Sequence, residues 1–264
     1  MKAAMLKIFN GLSKQIKSQK VWEYIYRTSL DGMNFGNGGN IQQSGELNVL
    51  KHIQGQLKDI PLLTIFDVGA NVGNYSKAVS DFFKTKAKIH AFEPSKKTYE
   101  MLTAAIKDDD NIIANNFGFS DVENTQLLYT TGDGSGWASV YQRNLQHLGE
   151  SMDKTEEIKL STIDAYCSAH KIDRIHFLKL DIEGHELKAL MGAKQMIASK
   201  KIDFIQFEFG GCNIDSRTFF QDYYYLLKDN YRIYRILKES LHELKAYSEI
   251  YEIFMTINYL AVKR

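Results

Sequence analysis

FDVGANVGNY, residues 66 to 75, joins the apolar run LLTIFDV (62–68) to a helical pattern that extends from Tyr75 to about Lys84. A buried strand, a turn and a helix is the reading of that order. Gly69 and Gly73 let the backbone turn sharply and approach a ligand without a Cβ in the way. The helix behind the turn directs free N–H groups and the positive end of its dipole at the same spot. Asp67 adds a carboxylate at the strand end. The spacing is not that of a dinucleotide loop, G-x-G-x-x-G, because Asn71 and Asn74 stand where the second and third glycines belong. The phosphate-loop pattern G-x-x-x-x-G-K-[ST] is absent as well. D-x-G-A-N-x-G suits a ligand bearing an adenosine and an amino acid but no pyrophosphate. Two glycines also suit a purely structural turn.

The same alternation continues outward. KIHAFEP (88–94) reads as the next strand, and Ser95 as the cap of a helix carrying Tyr99, Leu102, Ala105 and Ile106. IIANNFG (112–118), IHFLKLD (175–181) and IDFIQFEF (202–209) are further strands, with helix KALMGAKQMIAS between the last two. This pattern predicts an α/β fold, a mostly parallel sheet with helices on both faces. Asp215 or Ser216 is placed to cap an aromatic helix, TFFQDYYYLLKD, and Asn230 to end it. YRIYRIL (231–237) and EIFMTINYLAV (252–262) then read as a strand pair. A parallel sheet finished by an antiparallel hairpin is similar to the seven-stranded sheet of S-adenosylmethionine-dependent methyltransferases. Glu93 ends the second strand, 20 residues beyond Gly73. An acidic residue there is placed to accept hydrogen bonds from both hydroxyls of an unphosphorylated ribose.

Two stretches break the alternation: MNFGNGGNIQQSGE (33–46), and residues 126–159, which contain TTGDGSGWASVYQR. Loops this long in a compact domain tend to be lids or binding elements. The chain of 264 residues therefore divides into an N-terminal helical extension or lid (1–60) and one domain (61–264) with an insertion at 126–159. Lys and Arg number 33 against 32 Asp and Glu, so no global field draws the chain to nucleic acid. Cys167 and Cys212 are too few and too far apart for a disulfide scaffold or a zinc site, which suits a reducing compartment. Met5, Phe9, Leu12 and Ile16 recur at helical spacing among lysines. They predict a helix packed on the domain or lying on a membrane surface. No run reaches the length of a membrane span, and a soluble, cytoplasmic protein is expected. The aromatics Phe219, Phe220, Tyr223, Tyr224 and Tyr225 form a core-facing stripe or leave a surface for a homo-oligomer.

At this point the chain resembles the FkbM-type methyltransferases. The likeness runs in order through FDVGANVGNY, AFEP, NNFGFSD, LSTIDAY, LKLDIEGHELKALMGA and FIQFEFG, about residues 60 to 210. The pairing of D-x-G-A-N-x-G with K-x-D-x-E-G-x-E is what makes it specific. The resemblance implies a class I, Rossmann-like sheet of order 3-2-1-4-5-7-6 with S-adenosylmethionine at the carboxyl ends of its strands. Asp67, Gly69, Asn71 and Gly73 would surround the methionine portion and Glu93 the ribose. Asn116, Gly118, Ser120 and Asp121 would lie on the adenine side. The acceptor would be a small molecule or glycan, methylated on oxygen. A nicotinamide-dependent dehydrogenase and a non-catalytic nucleotide-binding domain are the alternatives.

In such a sheet Asp181 lies at the topological switch point and faces the donor's reactive end. Three chemistries fit the carboxylates of LDIEGHE: hard oxygen ligands for a metal, a general base for the acceptor hydroxyl, and, for Glu186, an anion at a helix start. The first is disfavoured because no His or Asp pair has a metal spacing. Asp181 or Glu208 is the expected base or orienting acceptor. Lys179 is expected either to hold the acceptor or to pair with Glu208, since charges in central strands need partners. Glu183, Trp137 and Ser139 would shape the acceptor pocket, although a hairpin anchored by its Trp explains that loop too. His185 is expected in solvent.

Overall fold

The computed structural model describes residue 13, residues 15–37, residue 41 and residues 43–264. The helical spacing of Met5, Phe9 and Leu12 lies outside the described residues. Ile16 is described; it is not helical, and its carbonyl accepts a hydrogen bond from the Trp22 indole at 3.0 Å. Helices α1 (Gln19–Gly32) and α2 (Glu46–Gln56) precede the sheet. The alternating part follows as β1 (Leu63–Val68), α3 (Asn74–Phe83), β2 (Ala87–Phe92), α4 (Lys96–Ala105) and β3 (Ile112–Asn115). It resumes with α5 (Ile163–Ala169), β7 (Ile175–Leu180), α6 (Glu186–Met191), α7 (Lys194–Ala198) and β8 (Ile202–Phe209). Between these runs lie β4 (Gly118–Phe119), β5 (Asn124–Thr130) and β6 (Lys154–Ser161). The chain ends with α8 (Cys212–Ser216), α9 (Phe220–Leu227), β9 (Tyr231–Ile236), β10 (Leu241–Glu243) and β11 (Ile257–Lys263).

The main sheet has the order β3-β2-β1-β7-β8-β11-β9-β10. Strands β3 to β8 are parallel, while β11 runs antiparallel to both β8 and β9. Its first seven strands follow the predicted order 3-2-1-4-5-7-6, and β10 adds an eighth at the edge, antiparallel to β9. Every residue of β7 and of β8 is buried, as expected of central strands covered on both faces. One hydrophobic cluster includes Phe66, Phe92, Leu178, Phe207 and Tyr223, and a second includes Val49, Leu50, Ile65, Val79 and Leu102. Helix α2 thus belongs to the core of the sheet.

Four local expectations are corrected. The third strand stops at Asn115, because Gly118 and Phe119 leave it to pair with β6 in a second sheet of order β4-β6-β5. The last strand starts at Ile257, not at 252. Glu252 instead accepts hydrogen bonds from the Phe220 and Gln221 N–H groups, both at 2.8 Å, and so tethers the start of α9. Asp215 and Ser216 belong to the short α8, and Asp222 is the side chain that accepts from the Phe219 N–H at 2.9 Å. The helix after β7 is broken in two. The Asp164 carboxylate accepts from the N–H groups of Gln195 (2.8 Å) and Met196 (3.0 Å) and so starts α7 afresh. Of the aromatics on α9, Phe220, Tyr223 and Tyr224 are buried in the core, while Tyr225 is exposed.

Candidate functional site

The site is built where β1 and β7 part at their carboxyl ends. Here β1 continues toward β2 on one side while β7 continues toward β8 on the other, which leaves a crevice between them. The Gly69 and Ala70 N–H groups both donate to the Phe92 carbonyl at 3.0 Å, and the Asp181 N–H donates to the Val68 carbonyl at 3.0 Å. Gly69 has φ of +85°, and a Cβ there would lie 1.9 Å from the Asp181 carbonyl oxygen. The two loops approach so closely that only glycine fits.

Two cavities open at this crevice. The smaller, about 160 Å³, lies between the 69–71 turn and the second sheet, and Glu93, Phe119 and Ile158 are on its walls. The larger, about 820 Å³, lies on the side of α2 and α8. Gly136, Asp181 and Glu183 border both cavities. The insertion therefore walls both sides: Ser139 and Leu128 face the small cavity, while Trp137, Arg143 and His147 face the large one. Ser139 was expected with the acceptor; its hydroxyl instead donates to the Glu183 carbonyl at 2.8 Å and fixes the loop over the turn.

Around the small cavity, the Glu93 carboxylate accepts from the Asn71 N–H (3.0 Å) and the Ser95 N–H (2.9 Å). Each of its oxygens keeps a further lone pair. Burial raises its pKa to about 7 despite those bonds. The Asn71 side-chain amide reaches the carbonyls of Gly134 (3.4 Å) and Ser135 (3.2 Å) and holds the 131–137 loop down. Of the residues expected at the donor, Gly69, Asn71, Glu93, Gly118 and Asp181 border this cavity. The other residues proposed for the donor do not border it. Asp67 is buried behind the turn, accepting from Ser76 Oγ at 2.6 Å, and Gly73 packs on Leu102. The Asn116 amide donates to the carbonyls of Glu93 (3.0 Å) and Pro94 (3.1 Å). Asp121 pairs with Lys188 at 2.7 Å, and Ser120 bonds His185 Nε2 at 3.0 Å.

His185 is buried, contrary to its expected exposure. Its second nitrogen meets the Tyr141 hydroxyl at 3.0 Å, and burial lowers its pKa to about 4, so a neutral ring stands between the insertion and α6. Glu186 is fully buried. Its Oε1 accepts from the N–H groups of Ile182 (2.8 Å) and Gly184 (3.2 Å), which pins the DIEG turn. Those two groups belong to the turn before the helix, and the Glu186 N–H at the helix start adds to them.

On the large-cavity side, Asp67, Lys179 and Gln206 occupy paired positions on β1, β7 and β8 and form a polar row across one sheet face. The Lys179 ammonium bonds Asp181 Oδ2 at 2.7 Å and lies 4.6 Å from the centre of the Tyr75 ring. Burial alone would lower its pKa, but Asp181, Asp67 and Glu46 hold it above the usual lysine range. The expected Lys179–Glu208 pair is absent. Two residues apart along an extended chain, Lys179 and Asp181 point to one face, and the nearer carboxylate wins. The Arg143 guanidinium pairs with Glu183, and its Nε lies 3.4 Å from Asp215. Glu46, at the start of α2, accepts from Ser44 Oγ (2.9 Å) and Gln206 Nε2 (2.7 Å). Carboxylate oxygens of Glu183 and Glu208 and the Cys212 sulfur lie within 4.8 Å of one another. Arg143 neutralises one of these carboxylates, and burial holds the thiol in its protonated form, so the trio is a poor ligand set for a cation. Arg143 and Glu46 were missed by the sequence reading. Glu46 closes the Gly- and Asn-rich stretch that broke the alternation, which was the available signal.

A match to the methyltransferase FkbM domain covers residues 67–239. Hexuronic acid methyltransferase AglP of Haloferax volcanii is 26% identical over 167 residues, 63% of this chain and 64% of that protein. The alignment thus spans less than two thirds of the relative's length. Among solved structures, the FkbM methyltransferase of Methylobacillus flagellatus is similar with a TM-score of 0.46 and 17% identity, over 76% of this chain and 44% of that one. A putative rRNA-methylase of Clostridium thermocellum is similar with a TM-score of 0.43 and 12% identity, over 85% and 100%. The family match runs from the end of β1 through β9 and includes Gly136, Asp181 and Glu183, which border both cavities, and the chain belongs to the FkbM methyltransferase family.

Proposed function

We propose that the protein transfers the methyl group of S-adenosylmethionine to a hydroxyl oxygen of a sugar or a related polyhydroxyl compound. The observation that carries this reading is the meeting of the two cavities at Asp181, Glu183 and Gly136, beneath the switch point. The small cavity suits an adenosine. It combines apolar walls from Phe119, Leu128 and Ile158 with the Glu93 carboxylate at the strand end, where ribose hydroxyls would donate to its spare lone pairs. At about 160 Å³ it is tighter than the roughly 300 Å³ or more of small-molecule sites, so the 131–137 loop must lift off Asn71 to admit the donor.

When bound, S-adenosylmethionine supplies an electrophilic methyl carbon whose bond to sulfur breaks with the electron pair leaving on sulfur. The chain has to align the acceptor oxygen, remove its proton and keep water out. Alignment alone contributes ~7 kcal/mol or more. Asp181 is the group at the junction that can accept a hydrogen bond, and then the proton, from the acceptor hydroxyl. Lys179 holds that carboxylate in place at 2.7 Å. Trp137 and Gly136 form the wall on the insertion side.

Thermal melting in the presence of candidate donors tests the reading. S-adenosylmethionine and S-adenosylhomocysteine should each raise the melting temperature, and NAD should not. Stabilisation by NAD alone would point to hydride transfer, and no response to any of them would sink the donor assignment.

A further inference from the structure

Four carboxylates border the large cavity, Glu46, Asp181, Glu183 and Glu208, against two cations, Lys179 and Arg143. Both cations are already engaged: Lys179 with Asp181, and Arg143 with Glu183 and Asp215. Glu46 is satisfied by Ser44 and Gln206. Glu208 is different. It is only 8% exposed and has neither a hydrogen-bond nor an ion-pair partner among the described residues. A buried carboxylate in that state is costly, and it responds by holding its proton. Burial first, and then Asp181, Glu183 and Glu186, push its pKa well above the usual carboxylate range. Glu208 does not border the small cavity, so its missing partner is not the donor's adenosine.

We infer that the acceptor carries a protonated amine beside its hydroxyl groups, so that it is an amino sugar and not an acidic sugar, with Glu208 as the amine's partner. This rests on the methyl-transfer reading and narrows its substrate. A protonated amine supplies the counter-charge that lets Glu208 release its proton, and then the four carboxylates face three cations. A uronic acid would bring a fifth carboxylate to a cavity whose two cations are both taken. Like charges brought together at a desolvated interface disfavour the wrong partner strongly. In this respect the cavity departs from what the name of the Haloferax relative describes. Trp137 offers a flat apolar wall for the ring carrying these groups, and the cavity of about 820 Å³ has room for more than one sugar residue.

The test is calorimetric titration of the full chain, saturated with S-adenosylhomocysteine, with three methyl glycosides that share one ring: glucosamine, glucose and glucuronic acid. The amine form should bind roughly tenfold or more tighter than the neutral form, and the acid weakest. Glu208→Gln should bring the amine and neutral forms to equal affinity. Equal or tighter binding of the acid, a Glu208→Gln variant that keeps the amine preference, or no binding by any of the three would overturn the inference. Binding of S-adenosylhomocysteine by Glu208→Gln reports an intact fold. If that variant fails to fold, the ranking on the unmodified chain decides alone. Failure of S-adenosylhomocysteine to bind the unmodified chain overturns the methyl-transfer reading and this inference with it.

Discussion

Single residues divide here into those that meet a ligand and those that hold them. In the proposed reaction Asp181 belongs to the first group, and Asp181→Asn should lower kcat roughly a hundredfold or more while S-adenosylhomocysteine affinity changes only a few-fold, as kinetics beside calorimetry will show. An equal loss in both would make it a donor ligand and not the base. Glu93 carries a pH signature. Its folded pKa of about 7 stands above the ordinary value of 4.5, so between those values the folded chain holds a proton that the unfolded chain has released. Stability from this group is therefore full at low pH and is lost as pH rises through that window, by at most about 3 kcal/mol. Melting temperatures from pH 5 to pH 8 should fall more steeply for the unmodified apo protein than for Glu93→Gln, and parallel slopes would contradict the assignment. Both residues were legible because each ends an apolar run, and strand ends face the crevice of such a sheet. The Lys179–Asp181 contact was legible in principle from the period of two, whereas Arg143 and Glu46 lie in stretches with no periodicity to place them.

Elements carry the next level of the function. The 126–159 insertion is a strand pair, β5 with β6, whose connecting loop crosses the junction of the two cavities. The Tyr129 and Ser139 backbones bond each other (2.7 and 2.9 Å), and the Thr131 and Ser135 hydroxyls lie 2.8 Å apart, so the loop has its own frame. Trp137→Ala should then impair turnover with little loss of donor affinity, since its side chain faces only the larger cavity. Unchanged turnover would remove the indole from the acceptor site. Length and small residues marked this segment as a binding element. They could not say that it covers both cavities, because that follows from the docking of β4 and β6 on the crevice, a contact between segments about 40 residues apart. The burial of His185 was hidden for the same reason: its partners are Tyr141 from that insertion and Ser120 from just after β4.

For the whole molecule, the parallel core was readable because central strands are mainly apolar and alternate with amphipathic helices. The antiparallel end was readable in order but not in extent. Strand β10 has only three residues, and the 252–256 run that looks extended gives up its Glu252 to cap α9. The outcome is one sheet in which a tight β1 turn, an acid at the end of β2 and a carboxylate after β7 converge on two joined cavities. The proposed methyl transfer from S-adenosylmethionine depends first on the smaller of them holding the adenosine. Calorimetric titration of the chain with S-adenosylhomocysteine, with Glu93→Ala in parallel, addresses that point. One site per chain, weakened roughly tenfold or more by the substitution, is the expected result; no binding to the unmodified chain, or equal affinity for both proteins, would contradict it.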